Sequence, residues 1–139
     1  MNREIKFRAW QKYHKTMLEV LNICFEDGKV NSLKVKYPED VTPNVVIYKK
    51  NDENFWLDDD CVKLMQYTGL KDKNGVEIYE GDIVKFENGS VMKVAYDFED
   101  YLSFVLEDNE RISFIKRGIY YEVIGNIYEN PELLNVNKW

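Results

Sequence analysis

The side chains that could do chemistry in this chain are few and scattered. His14 is the single histidine, so a serine or cysteine nucleophile with a histidine base would have to be built around it. It lies in a polar stretch beside Lys12 and Lys15, with no nucleophile motif nearby. Cys24 and Cys61 form no CxxC pair. We therefore expect no catalytic residues, no zinc site and two free thiols, and we interpret His14 as an exposed, solvated side chain.

The densest acidic run is Asp58-Asp59-Asp60, which follows Asp52 and Glu53. Carboxylate oxygens can hold a hard cation, but this run lacks the glycine-punctuated alternation of a calcium loop. It is interpreted as a solvated acidic loop. The sequence also contains no G-x-x-x-x-G-K-[ST] or G-x-G-x-x-G phosphate cradle. The expectation is a protein without a metal, without a cofactor and without enzymatic activity.

Binding is the remaining kind of function, and one basic and aromatic strip is a candidate for it. Lys116 and Arg117 precede Tyr120 and Tyr121, a combination that could contact phosphates and stack bases. Trp10 completes the predicted interaction surface, because Trp and Tyr are enriched at protein interfaces. The net charge of −6 and the pI of about 4.9 work against nonspecific binding to phosphate backbones. We predict a protein-interaction module, with a nucleic-acid-binding module as the alternative.

Short strands separated by turn residues must position these side chains. Alternating apolar and polar residues predict a strand over residues 3–10. A second strand is predicted over 16–25, although a short helix also fits this apolar run, and the turn at 26–29 favours a hairpin with a third strand over 30–37. Pro38 and Pro43 bound a connection. Strands at 45–48 and 62–67 follow.

From residue 64 onward short strands follow one another at close spacing, a pattern typical of a sandwich or small barrel. They are predicted at 83–86, 91–96, 103–107, 111–115 and 121–128. Asn-Gly turns at Gly75 and Gly89 separate some of them. Gly125 indicates a bulge in the last strand, and Asn130 before Pro131 indicates a helix start. We predict a mainly β protein with few short helical turns and a soft boundary that divides residues 1–62 from 63–139.

The segment Glu80-Gly81-Asp82 opens an amphipathic strand, as a Gly-Asp pair does in the KOW-like barrels of some nucleic-acid-associated proteins. The same short segment also has a purely structural interpretation. Gly81 permits a reversal, Asp82 can accept hydrogen bonds from nearby backbone N–H groups, and the strand buries Val84 and Phe86. We favour this structural interpretation.

Three blocks carry a resemblance to a known family. They are residues 1–10 (MNREIKFRAW), residues 64–84, which begin LMQYTGLKDKNG and continue through EIYEGDIV, and residues 123–134 (VIGNIYENPELL). In order and content they resemble the YopX family of phage and prophage proteins. The resemblance implies an SH3-like barrel in the C-terminal part and a phage or prophage origin. It implies no catalytic residue, because the family has no assigned activity.

Location and assembly complete the expectations. No N-terminal apolar segment resembles a signal peptide, and no apolar run approaches the ~20 residues that a membrane-spanning helix needs. We expect the cytoplasm of the bacterial host, no membrane, and a host or phage protein as partner. Because open sheet edges are often protected by pairing with another subunit, we also predict a homo-oligomer.

Overall fold

The computed structural model describes residues 4–39, 48–49, 55–58, 62–115 and 120–137. Within these ranges the chain forms twelve strands and one short 3-10 helix, and no helix has the length and apolar character needed to cross a bilayer. The predicted mainly β class is confirmed. The strands are β1 Phe7–Gln11, β2 Thr16–Glu26, β3 Lys29–Lys36, β4 Tyr48–Lys49, β5 Phe55–Asp58, β6 Val62–Lys71, β7 Glu77–Tyr79, β8 Asp82–Phe86, β9 Val91–Asp97, β10 Ser103–Glu107, β11 Ile112–Phe114 and β12 Tyr121–Asn126, and the 3-10 helix is Pro131–Asn137.

Contacts divide the chain into two compact units, Lys6–Met65 and a C-terminal unit of residues 66–139 with residues 1–5. The first sheet has the strand order β4-β5-β3-β2-β1-β6-β7, and the second has the order β11-β10-β9-β8-β12. Among the described residues neither sheet closes into a barrel. The division into domains at residues 62 and 63 stays a prediction, since a compact unit is not by itself an independently folding domain.

The hairpin of β2 and β3 organises the N-terminal unit. Its turn residues Asp27 and Gly28 both have positive φ, 52° and 78°, as a two-residue type I′ turn requires. Glu26 pairs with Lys29 across it, which confirms the predicted hairpin and rules out the helical alternative for β2. Alternate residues of these strands then share one face. The core of this unit consists of Ala9, Leu18, Leu33, Val35, Tyr37 and Val62.

In the C-terminal unit, four consecutive strands form a meander and the fifth returns to pair with the first. β8 pairs with β9, β9 with β10 and β10 with β11, and β12 comes back to β8. Gly81, with φ of 88°, makes the reversal into β8, and its N–H donates to the Val94 carbonyl at 2.8 Å. The core of this unit consists of Ile78, Val84, Met92, Val94, Leu106 and Tyr121.

The end of β12 differs from the sequence prediction. The strand stops at Asn126 rather than at residue 128, because the Asn126 side chain accepts the N–H groups of Tyr128 and Glu129 and turns the chain away. The predicted bulge is confirmed by a register shift between Val123 and Gly125. The predicted helix start is a 3-10 helix.

The side chain of Asn130, which precedes this helix, accepts no hydrogen bond from the helix among the described contacts. Its Oδ1 accepts the backbone N–H of Asn126 at 3.3 Å, whereas Leu133 N–H donates to the Asn130 carbonyl at 3.1 Å. The predicted connection and strand between residues 38 and 48 fall mostly outside the described residues. Of the predicted acidic loop, Asp58 instead ends β5 and pairs with Ser32.

We predict that Gly125→Ala lowers the free energy of unfolding by about 1–2 kcal/mol. An added Cβ would lie 2.5 Å from Asn130 Oδ1 and 2.8 Å from its Cγ, so one of the two segments must move. Urea unfolding of Gly125→Ala, Asn130→Ala and the double variant measures the effect. The double variant should lose less than the sum of the single losses, because Asn130→Ala removes the two closest atoms, Oδ1 and Cγ, and leaves only Cβ at 3.0 Å. Simple additivity would contradict this account.

Candidate interaction surface

The predicted interaction residues do not assemble into one exposed strip. Trp10 is 9% exposed and Tyr121 is 3% exposed, whereas Tyr120 is 61% exposed. Lys116 and Arg117 lie outside the described residues. Of the described members of this set, only Tyr120 presents its ring to solvent.

Tyr121 is buried because it opens β12 opposite Phe86, on the face that packs into the core. The centroids of the Tyr121 and Phe86 rings lie 5.3 Å apart. Tyr121 is therefore a core residue rather than the exposed aromatic that the sequence suggested, and its ring is not available to stack on a base. Trp10 is likewise a buried residue of β1, paired with Met17. A role of Tyr120, Lys116 and Arg117 in binding stays a prediction.

The candidates for chemistry do not come together either. His14 is half-buried rather than fully solvated, with its ring edge-on to Tyr37 at 5.8 Å and its backbone N–H donating to Gln11 Oε1 at 2.7 Å. Cys24 is a half-buried free thiol of β2, and Cys61 lies outside the described residues. No group of three His, Cys, Asp or Glu side chains in the described part of the chain is arranged to hold a metal ion.

A set of exposed apolar side chains lies instead on β11 and in the loop after β9. We call it the aromatic edge and define it by five exposed side chains: Phe98, Tyr101, Leu102, Ile112 and Phe114. Phe98 is 76% exposed and Leu102 64%. All three residues of β11 are exposed, because β10 covers one side of this last strand and no described strand covers the other. Tyr101 and Phe114 are in contact, and exposed apolar side chains that lie together mark interaction sites.

Ring contacts give the aromatic edge a defined shape. Tyr101 and Phe114 meet edge to face at 4.6 Å, which joins the loop after β9 to β11. The ring centroid of Tyr96 lies 4.6 Å from that of Phe98 and 5.3 Å from that of Phe104. The Tyr96 hydroxyl donates to the Leu102 carbonyl at 2.9 Å and so ties the loop to β9. The exposed rings are thus held in place by neighbours rather than extended into solvent.

Carboxylates surround this apolar surface. Between residues 97 and 111 the chain carries six acidic side chains and one basic side chain. The acidic ones are Asp97, Glu99, Asp100, Glu107, Asp108 and Glu110. Arg111 is paired with Asp108 at 2.8 Å, and Lys93 on β9 is paired with Glu107 at 3.4 Å. Glu99, Asp100 and Glu110 are exposed and have no ion pair with any described residue, so the described part of the rim of the aromatic edge is acidic, whereas Lys116 and Arg117, which follow β11 in the sequence, lie outside the described residues.

Comparison with known proteins shows which family this chain belongs to. The model of the YopX protein family matches residues 6–135, nearly the whole chain. The chain belongs to the YopX family. Among solved structures it is similar to protein EF1440 from Enterococcus faecalis, with 32% sequence identity, 96% of this chain and 99% of that chain covered, and a TM-score of 0.66. None of the curated proteins searched matches it.

The residues that carry the YopX resemblance hold the backbone in place. Asp72, which is 6% exposed, accepts three backbone N–H groups. Its Oδ1 accepts those of Asn74 at 2.8 Å and Val76 at 2.9 Å, and its Oδ2 accepts that of Val123 at 2.8 Å. One carboxylate therefore shapes the turn after β6 and also fastens that turn to the outer side of β12.

Two further residues of the YopX blocks, Asp82 and Asn126, act in the same way. Asp82, 1% exposed, accepts the N–H of Tyr79 at 2.7 Å, as the structural interpretation of the Gly-Asp pair expects. The Asn126 side chain accepts two N–H groups beyond β12. Carboxylates and amides that already accept backbone N–H groups are poorly placed to serve as general bases or metal ligands.

The sequence did contain a signal for the aromatic edge. Phe98 and Tyr101 stand among Asp97, Glu99 and Asp100 in the sequence, and Ile112 and Phe114 lie in the predicted strand 111–115. Ile112 and Phe114 pair with Glu107 and Val105, on the other face of the sheet from the core residue Leu106. Which face of the strand packs into the core is a tertiary relation that the sequence did not supply.

We predict that Asp72→Asn lowers the free energy of unfolding by about 2 kcal/mol, because one amide NH₂ would face a backbone N–H and leave it unsatisfied. Asp97→Asn is the matched control. Asp97 accepts the N–H groups of Asp100 and Tyr101 through Oδ2 alone, so an amide oxygen can replace it. Urea unfolding should show a small loss for Asp97→Asn, and equal losses for the two variants would contradict the assignment.

Asp108 provides a pH-dependent prediction. The N–H of Glu110, together with Arg111, lowers the pKa of this carboxyl below its ordinary value of 3.8, although desolvation opposes the effect. Because the pKa is lower in the folded state, this carboxylate stabilises the fold fully at pH values above its ordinary pKa. The stabilisation is lost as the pH falls through the pKa of the folded state. A carboxyl-carbon NMR titration should therefore give a midpoint below 3.8. The stability gap between wild type and Asp108→Asn should close over that same acidic range, and a midpoint at or above the ordinary value would contradict this prediction.

Proposed function

We propose that this YopX-family chain is a non-enzymatic accessory protein of phage or prophage type that binds a host or phage protein in the bacterial cytoplasm. The aromatic edge is the observation that carries the proposal. Its exposed side chains are large and apolar, and two of them belong to an outer strand of a sheet. Such surfaces are used for protein recognition, with aromatic side chains providing most of the binding energy.

The charge around the aromatic edge favours a protein over a nucleic acid. A phosphate backbone would be repelled by the exposed Glu99, Asp100 and Glu110. The alternative of a nucleic-acid-binding module depends on the strip from Lys116 to Tyr121, and burial of the Tyr121 ring removes one of its two stacking platforms. Protein recognition is therefore the function that the described surface supports best.

We also propose that the second sheet represents an SH3-like fold. Its four-strand meander, with a fifth strand returning to the first, has the connectivity of such a barrel opened at β11. Small barrels of this type host many unrelated functions, so the fold alone indicates no activity. Pairing of free sheet edges between copies, which would give a homo-oligomer, is a further proposal that light scattering of the purified protein can test.

An affinity experiment with host lysate tests the proposed function. The tagged full-length chain is incubated with lysate, with and without nuclease, and retained proteins and nucleic acid are quantified. We expect a specific protein to be retained after nuclease treatment and to resist added salt, because an apolar interface is weakly screened whereas phosphate binding is not. Recovery of nucleic acid, with loss of bound proteins on digestion, would overturn the proposal in favour of the alternative.

A further inference from the structure

The outer side of β11 presents backbone groups that no described strand satisfies. Asp108 N–H donates to the Arg111 carbonyl at 3.0 Å, so these two residues form a hydrogen-bonded pair of the β10–β11 ladder. Antiparallel ladders alternate, so the Leu106–Ser113 pair is hydrogen-bonded as well. Ile112 and Phe114 then direct their N–H and C=O groups away from β10, toward the free edge.

The opposite edge of the same sheet is covered. The Tyr121 carbonyl accepts Lys73 N–H at 3.2 Å, and Val123 N–H donates to Asp72 Oδ2 at 2.8 Å. The turn after β6 thus satisfies the outward groups of β12. Among the described residues no equivalent segment lies over β11, so an added strand can pair at β11 and not at β12.

The side chains at this edge match what an added strand requires. Ile112 and Phe114 are two residues apart, so they project from the same face, and they are 42% and 52% exposed. Tyr101 packs against Phe114 and extends the apolar surface into the loop after β9. A partner strand could therefore gain cross-strand contacts with an aromatic and a β-branched side chain.

The loop that completes the surface holds a leucine in an unfavourable conformation. Leu102 has φ of 50° and is 64% exposed, so an apolar side chain is kept in solvent at a position where glycine or asparagine would be less strained. Neither burial nor backbone preference explains a leucine here. Contact with an occupant of the aromatic edge would explain it.

The acidic rim identifies the chemistry of that occupant. Glu110 lies at one end of β11, and Glu99 and Asp100 lie in the loop beside Tyr101, all exposed and without ion pairs to described residues. Cationic side chains at the ends of a bound segment would be attracted to them.

We propose that the outer edge of β11 accepts an extended apolar segment of a partner protein, flanked by Lys or Arg, as an added β-strand. This inference rests on the proposed function and specifies its surface and its partner chemistry. Main-chain hydrogen bonds to Ile112 and Phe114 provide the pairing, and the aromatic edge with its acidic rim provides selectivity.

Amide hydrogen exchange of the full-length ¹⁵N-labelled protein tests the proposal directly. The probe is a synthetic Thr-Val repeat peptide flanked by lysines, and the control peptide is the same repeat flanked by glutamates. With the lysine-flanked peptide, exchange of the Ile112 and Phe114 amides should slow by about tenfold, whereas Ser113, already bonded to β10, should change little. No slowing, or slowing without this alternation, would overturn the proposal, as would equal effects of both peptides.

Matched variants separate strand addition from loss of folding. Ile112→Pro removes an outward N–H and blocks pairing without breaking a bond to β10, while Ile112→Thr keeps the N–H. Protection by the lysine-flanked peptide should disappear in the proline variant and persist, weakened, in the threonine variant. Leu102→Asn should weaken the interaction while leaving thermal stability unchanged or higher. Unaltered amide spectra away from residues 98–114 show that each variant is folded.

The failure of this inference can be distinguished from failure of the proposed function. If wild type and Ile112→Pro retain the same nuclease-resistant protein from lysate equally well, the protein is an interaction module that uses another surface, and the edge assignment is wrong. If wild type retains no protein, the proposed function itself fails. Protection of Ile112 and Phe114 that grows with protein concentration alone, together with a doubled mass in light scattering, would assign the edge to a second copy and overturn the proposal.

Discussion

The hydrogen bonds from three backbone N–H groups to the buried Asp72 carboxylate are the interaction on which the C-terminal unit depends. A turn and the outer side of an end strand both leave N–H groups that no ladder satisfies, and leaving such groups buried and unpaired costs about 1–3 kcal/mol each. Asp72 satisfies groups of both kinds at once, with one oxygen for each. It thereby fixes the turn after β6 against β12, which the chain reaches only some fifty residues later. Asp82 and Asn126 do the same for the two neighbouring reversals.

This use of polar side chains explains why the family resemblance is informative about fold and uninformative about chemistry. The Asp-Lys-Asn-Gly, Glu-Gly-Asp and Gly-Asn segments contain the carboxylates and amides that one would first examine as catalytic groups. In the structure those of Asp72, Asp82 and Asn126 accept backbone N–H groups and are almost fully buried. Gly125 has no room for a side chain because Asn130 turns back toward it. The residues that identify the chain as a YopX-family protein are committed to architecture, and recognition has to come from elsewhere on the molecule.

Local patterns predicted most of the strands and turns, and tertiary relations account for what they missed. Alternation and Asn-Gly or Asp-Gly turns are properties of a few adjacent residues, so β2, β3, β8, β9 and β10 were predicted within one or two residues. Burial of Tyr121 and exposure of Phe114 depend instead on which face of the sheet packs into the core, because both residues lie on end strands of the second sheet. The end of β12 was missed for a related reason, since the side chain of Asn126 satisfies the following N–H groups and ends the ladder. A candidate surface chosen by residue type alone therefore combined a core tyrosine with an exposed one.

An exposed sheet edge carries a risk of indiscriminate pairing, and the way β11 limits that risk is also what makes it selective. The strand is only three residues long, and a short edge strand is one device that natural sheets use against edge-to-edge aggregation. The exposed Glu110 precedes it, and the exposed Glu99 and Asp100 lie in the loop that carries Tyr101. These charges lower the free energy of association for a segment with Lys or Arg at its ends. A three-residue edge offers few backbone hydrogen bonds, so the exposed Ile112 and Phe114 and the nearby charges must provide most of the selectivity for a partner.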